Sequence, residues 1–276
     1  FHSEVRAICD VDEERLAQNQ QEFSVPFAST DYREVIHRDD IDIVGIFTPD
    51  HLHMEMIREA LKAGKHVICT KPMVNSLEEA VETVGLVRQT GRKFLVGQTR
   101  RYVRHHMEAK ALFDSGKIGE PLMCEASYIH GDMWKVFDRG AWRYQVPQKM
   151  VYGGMCHPVD HLRWYFGDVD EVFAYGAPSP IDPRYPQAYD LNYIANLKFK
   201  SGLIGRVIQA TGIVEPAYGS LNDVYPMEGV SIFGTKGTIT NFHARYLEGG
   251  IRGQEVVVDF SKSENVDDFD GKEYSG

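Results

Sequence analysis

Two sets of residues in this chain have types and spacings suited to moving hydrogen. The first is Lys71, set in Thr70-Lys71-Pro72 directly after the β-branched run 66–69. An ammonium fixed beside a proline can stabilise negative charge developing on a substrate oxygen. The bland alternative is a solvated turn lysine. The second is His157, followed by Asp160, His161 and Trp164 at i+3, i+4 and i+7, which places all four on one helical face. A near-neutral imidazole suits general acid–base work. His-x-x-Asp-His also resembles metal-ligand spacing, but no third ligand is clearly placed by the sequence and no metal is expected. His161 reads as packing or support.

The elements that must hold Lys71 occupy residues 41–72. Ile41, Ile43, Val44, Ile46 and Phe47 read as a strand buried on both faces. Thr48-Pro49-Asp50 breaks it, Met54, Ile57, Ala60 and Leu61 show helical spacing, and Gly64 sits where a helix stops. With the strand that follows, this is a βαβ unit, right-handed and parallel. Ligands of such sheets bind beyond the carboxyl ends of the strands, where Thr48, Pro49, Asp50, Lys71 and Pro72 all fall.

Around this unit, strands near 4–9, 41–47, 66–70 and 93–97 alternate with helices, predicting a doubly wound α/β domain over 1–99. Asp12 caps the first helix, Glu13 and Glu14 favour its first turn, and Ser76-Leu77-Glu78-Glu79 is a capping box for a helix closed by Gly91. Residues 31–36 make a short helix. Asp10 ends the first strand. In a dinucleotide-binding fold an acidic residue ending the second strand accepts hydrogen bonds from the adenosine ribose and repels a 2′-phosphate. Asp10 suits that role, and equally a turn or cap. The G-x-G-x-x-G fingerprint that should precede it appears nowhere. Either no dinucleotide binds or the first βα unit is missing. A start at Phe1, on what reads as the second strand, favours a missing unit.

From residue 100 to 276 the pattern changes to a helix over 105–115 and then strands with short turns, near 122–130, 169–176, 191–200, 203–212, 229–233 and 238–241. Lys200-Ser201-Gly202 and Thr235-Lys236-Gly237 are hairpin turns. This predicts an α+β domain with a mostly antiparallel sheet and an early inserted helix over 154–166. The acidic, glycine-rich end shows no closing element, so a missing C-terminal piece is also expected. Trp134, Trp142, Tyr144 and Tyr152 cluster with Arg139 and Arg143. Such rings suit the apolar faces of a sugar and equally a domain interface. Tyr185, Tyr189 and Tyr218 are candidate rim residues. His105-His106 reads as a solvated or capping pair.

A net charge of −10 without a basic stripe argues against nucleic acid. No apolar stretch is long enough to cross a membrane. The four cysteines lack CxxC or zinc-type spacing, which fits free, buried thiols and a reducing cytoplasm.

The run TPDHLHMEMIREALKAGKHVICTKP resembles the TP-x-x-x-H … AL-x-AGKHV-x-x-EKP core of the Gfo/Idh/MocA oxidoreductases. Gly97-Gln98-x-x-Arg101-Tyr102, Gly116-x-Ile118-Gly119, Trp142-Arg143 and Gly153-Gly154-x-x-His157-x-x-Asp160-x-x-Arg163-Trp164-x-x-Gly167 continue the likeness, which covers about residues 4 to 242. The resemblance implies a Rossmann domain joined to a sheet domain, with substrate held between them. It casts Lys71 as the lysine contacting the nicotinamide ribose and the reacting oxygen, His157 as acid/base and Asp160 as a substrate-binding carboxylate. It places Thr48, Pro49, His53 and Gln98 along the cofactor groove and Arg101 with Tyr102 beside the substrate, and it allows a cis peptide before Pro72. Joining of subunits through the broad sheet face follows from the same likeness. Two departures stand out. The family glutamate before the lysine is Thr70, and an aspartate usual four residues before the histidine is Gly153.

The residues and the resemblance together predict an NAD(H)-using oxidoreductase acting on a carbinol of a sugar, cyclitol or glycoside, with Asp10 favouring NAD over NADP. Redox-assisted glycoside cleavage with recycled NAD is the alternative within this class. A non-catalytic NAD-binding regulator is the alternative outside it, against which the retention of Lys71 and His157 counts.

Overall fold

The computed structural model describes residues 3–130, 142–146, 148–178, 190–211, 228–249 and 252–261. The chain divides into two compact units, Phe1–Gly97 and Gln98–Gly276.

In the first unit, β1 (Ala7–Cys9), α1 (Glu13–Glu22), β2 (Phe27–Ser29) and α2 (Tyr32–Ile36) precede β3 (Ile43–Ile46), α3 (His53–Lys62), β4 (His66–Thr70), α4 (Leu77–Thr90) and β5 (Phe94–Gly97). Local chemistry sets the boundaries. The Asp12 carboxylate accepts from Arg15 N–H at the start of α1, and the Ser76 hydroxyl accepts from Glu79 N–H at the start of α4. The reciprocal bond of the capping box lands one residue early, on Asn75 N–H. Gly64 and Gly91 adopt φ +77° and +64° after α3 and α4, a conformation that a side chain would resist.

Strands β3, β4 and β5 pair in parallel, Ile43 opposite His66 and Val67 opposite Phe94. The parallel pairing expected of the βαβ unit is found, and the strands of the first unit fall into two groups. β1 pairs in parallel with β2, a strand not anticipated, to form a separate two-stranded sheet. The two-faced burial expected of the 41–47 strand also fails. Helix α3 packs Ile57, Ala60 and Leu61 against Ile46, Val67 and Cys69, while Ile43, Phe47, Ile68 and Leu95 on the other side are 53%, 78%, 37% and 49% exposed. Strand side chains alternate, and the helical cover lies on one face only.

The second unit carries α5 (Arg104–Asp114), β6 (Pro121–His130), α6 (Trp142–Gln145), α7 (Met150–Gly153) and α8 (Cys156–Phe166) ahead of β7 (Val169–Ala177), β8 (Asn192–Phe199), β9 (Ile204–Thr211), β10 (Glu228–Gly234), β11 (Gly237–Thr240), β12 (His243–Glu248) and β13 (Gln254–Asp259). The strands form one sheet in the order β13-β12-β11-β10-β6-β9-β8-β7. All neighbours are antiparallel except β6 and β9, which run parallel with Met123 opposite Ile204. The tail, in which no closing element was expected, supplies β12 and β13, which bury Ala244 and Tyr246 and pack Val256 and Val258 against the core, with Phe260 buried just after β13. The core lies between the sheet and helices α5 and α8, where Phe199, Val207, Ile232, Ile239 and Leu162 meet. Among the described residues no helix is long and apolar enough to cross a membrane. Cys69 and Cys124 are buried free thiols, whereas Cys9 is exposed and Cys156 half-buried.

Candidate active site

In the first unit the chain leaves β3 through Thr48 and Pro49 into a turn over Asp50–Leu52, and leaves β4 through Lys71. The Lys71–Pro72 peptide is cis. Lys71 is half-buried, and Pro72 and Asp50 are buried. His53 opens α3 with no solvent exposure, and its ring nitrogens lie 2.8 Å from the Thr48 carbonyl oxygen and 2.9 Å from that of Pro72. Asp50, expected along the cofactor groove, is buried at 4% exposed. His53, expected there too, has both ring nitrogens engaged by backbone carbonyls and so ties the two strand-end loops together. Asp10 serves the turn into α1, its Oδ1 accepting from Asp12 N–H while Oδ2 stands 3.5 Å from Arg15 Nε.

In the second unit α8 crosses β6, β9 and β10 and carries His157 near its start, 6% exposed. Its ring lies 4.9 Å from that of Tyr128 on β6, centroid to centroid and tilted by 33°, and the Arg100 guanidinium sits over the Tyr128 ring, 5.6 Å from its centroid. Asp160 is half-buried and grips Arg101 through both oxygens, Nε to Oδ2 at 2.7 Å and a terminal nitrogen to Oδ1 at 2.6 Å. The Asp160 bonds hold the Arg101 guanidinium above its ordinary range. Asp160 and Arg101, both expected beside substrate, are each other's partners. A charge-assisted two-point bond of this kind positions the turn Thr99–Tyr102 on α8. Tyr102 is 69% exposed, Trp142 and Tyr152 are half-buried, and Gln98 follows β5 directly with its side-chain oxygen buried. The side chains of Arg143 and Tyr144, and residues Trp134, Arg139, Tyr185, Tyr189 and Tyr218, lie outside the described residues.

His106 is not solvated. It is 4% exposed, with its ring 4.4 Å from His161 and 4.0 Å from His105. Burial, then the neighbouring His161, pushes the His106 imidazole down to about 2, and burial pushes His161 down to about 4. Both rings are therefore neutral. Among the described residues no three His, Cys, Asp or Glu side chains are gathered as a metal site would require. Tyr128, Arg100 and Gln148 went unnoticed in the sequence. The signal for Tyr128 was the period-two row Cys124, Ala126, Tyr128, His130, which puts it on the same sheet face as the core.

The Gly153-Gly154 pair has a packing cause. A Cβ on Gly153 would lie 2.6 Å from Gln148 Cδ, and one on Gly154 would lie 2.8 Å from Met150 Cε. Gln148, itself buried, fills the space that any side chain at 153 would enter. Gly153→Ala is expected to lower stability by about 1–3 kcal/mol through overpacking, and Gln148→Ala in the same chain should restore much of it. Thermal melts of the two single variants and the double variant check this, and additive losses would refute the crowding.

Residues 2–98 match the family model described as an oxidoreductase family with an NAD-binding Rossmann fold, and residues 106–240 match the C-terminal domain model of the same GFO/IDH/MocA family. The chain belongs to this family. The uncharacterized oxidoreductase YrbE of Bacillus subtilis is 29% identical over 251 residues, covering 88% of this chain and 68% of that protein. A glycosyl hydrolase family 109 protein of Shewanella sp. (strain ANA-3) is 34% identical over 171 residues, 57% of this chain and 37% of its own length. Among solved structures, levoglucosan dehydrogenase in complex with NADH and levoglucosan superposes with a TM-score of 0.76 at 23% identity, over 92% of this chain and 70% of that one. The chain thus spans little more than two thirds, and in places well under half, of the family members it matches. Both the Rossmann-type unit and the mostly antiparallel sheet unit are family architecture.

Proposed function

We propose that the protein transfers hydride between a carbinol carbon of a sugar, cyclitol or glycoside and NAD(H). The observation that carries this reading is the retention, within a family fold, of Lys71 at the carboxyl end of β4 and of His157 on α8 beside Tyr128. Bound nicotinamide supplies the hydride acceptor. The strand ends bearing Thr48, Pro49 and Lys71, held by His53, fit a dinucleotide lying across them, and Asp10 offers a carboxylate suited to a ribose diol and hostile to a 2′-phosphate. His157 takes the hydroxyl proton as the carbon gives up hydride, and the Lys71 ammonium stabilises the oxygen as negative charge builds. The Arg101–Asp160 pair orients the turn that carries Tyr102, and Trp142 and Tyr152 offer faces to the ring of a sugar. NADH formation over a panel of polyols, sugars and glycosides tests the reading. Silence across the panel despite bound cofactor would sink it.

The family 109 relative favours one second reading, in which oxidation is transient and acidifies the neighbouring C–H so that an aglycone departs. Aglycone release without net NADH would select it. The outer face of the eight-stranded sheet, with Phe173, Tyr175, Ile194 and Ile204 exposed between the ion pairs Glu171–Lys198 and Glu125–Arg206, is suited to joining subunits. Ile204→Asp should therefore shift a sedimentation profile from oligomer to monomer; a monomeric unmodified protein at micromolar concentration would end the proposal.

A further inference from the structure

His53 carries a proton problem with one solution. Its ring is fully buried between two backbone carbonyls, 2.8 Å from the Thr48 oxygen at Nε2 and 2.9 Å from the Pro72 oxygen at Nδ1. A carbonyl oxygen only accepts. A neutral imidazole has one N–H and one lone pair, so it would satisfy one oxygen and aim a lone pair at the other. The imidazolium has a donor on each nitrogen. We propose that His53 is held doubly protonated, and that this two-ended clasp locks the loop after β3 to the loop after β4, making it a positioning residue for Lys71 and for the surface on which the cofactor lies.

The surroundings can carry the charge. Two hydrogen bonds from a cation are stronger than neutral ones, and Asp50, three positions earlier in the same turn and itself buried, puts a carboxylate into this segment. Cys69 on β4 is neutral, its thiol pushed up by burial to about 12. Lys71, half-buried, is the cation on the clasped loop itself. The outward side chains of α3 are engaged at the surface by α2, by His37 just after it and by α4, in the ion pairs Arg33–Glu55 and Arg58–Glu82 and the hydrogen-bonded pair His37–Glu59. Proton loss from His53 would release one of the two carbonyls, and with it the fixed spacing between Thr48 and the Lys71-Pro72 step.

The test is 15N-histidine NMR on the whole chain. One histidine should show protons on both ring nitrogens, keep them at about pH 7.5, where an exposed imidazole is mostly neutral, and vanish in His53→Gln. A ring with one N–H at about pH 7.5 overturns the clasp, and needs no enzyme activity to do so. The positioning role rests on the function proposed for Lys71, so turnover is read alongside. His53→Gln, which keeps a donor at only one end, should raise KM for the dinucleotide about tenfold, the scale of one lost buried hydrogen bond, and should also lower kcat. If Lys71→Ala is inactive while His53→Gln matches the unmodified enzyme in both constants, positioning is overturned. If Lys71→Ala itself stays active, the proposed function fails and the NMR result still decides the protonation.

Discussion

His157→Gln is expected to cut turnover by about 10²–10⁴-fold, the range lost when a positioned acid–base group is removed, with dinucleotide affinity little changed. Glutamine approximates the size of the ring and can hydrogen-bond, but it cannot shuttle a proton near neutrality. The buried setting against Tyr128 makes a solvent substitute difficult to admit, because the histidine is only 6% exposed. The pH–rate limb belonging to the base should disappear along with the rate. Lys71→Met should lose about 10²–10³-fold, as when one donor to a developing oxyanion is deleted, and should keep that limb. The measurement is steady-state NADH formation across pH for both variants and the unmodified protein, on whichever substrate the panel identifies. Full activity in His157→Gln would remove the acid–base assignment, whatever the fold.

Acid should destabilise this protein well before its carboxylates protonate. His106 and His161 ionise in the native state at about 2 and about 4, against an ordinary value of 6.5, chiefly because burial penalises the charged ring. Both shifts are downward. The native rings stay neutral as pH falls through 6.5 while the unfolded chain takes up two protons, so stability is full above 6.5 and is lost below it. Each ring contributes up to about 1.4 kcal/mol per pH unit in that window, or about 2 kcal/mol between pH 7 and 5, and the two in contact titrate as a pair. His161 hydrogen-bonds the Arg100 backbone, and its Nε2 has no hydrogen-bond partner among the described residues, which leaves a charged form poorly served. His106→Phe, which keeps an aromatic ring against His161 and His105, should remove about half of the slope. Urea denaturation at pH 7, 6 and 5 reads it directly. An unchanged slope in His106→Phe would show that the acid sensitivity comes from elsewhere.

What the sequence disclosed was mostly short-range. Asp12 and Ser76 cap the helices they were expected to cap, and Gly64 and Gly91 close them, because each signal is complete within five residues. The parallel βαβ unit around Lys71 followed from the same local grammar. β2 was invisible because three residues after Pro26 are too few to show alternation. β12 and β13 were hidden by the glycine-rich, acidic residues around them. The site suffered from distance. Arg101 and Asp160 are 59 positions apart, and nothing local in either segment says that each is the other's counter-ion. The resemblance therefore offered Asp160 as a substrate carboxylate with no sign of its partner. It placed His53 along the cofactor groove, and nothing local shows the two carbonyls, on different loops, that hold its ring. Exposure of Ile43 and Phe47 could not be read from an apolar run, which reports that a strand can be covered and not whether anything covers it.

The place of β6 in its sheet has a kinetic consequence. Its neighbours are β9 on one side and β10 on the other, so Met123 waits for Ile204 and Cys124 for Ile232. Closing loops of that length costs entropy before any ladder bond returns it, whereas β7, β8 and β9 form a meander that can assemble on its own. The middle strand is thus synthesised early and seated late. Until then its apolar row is bare, and chaperone dependence during synthesis should concentrate on this strand rather than on the helices.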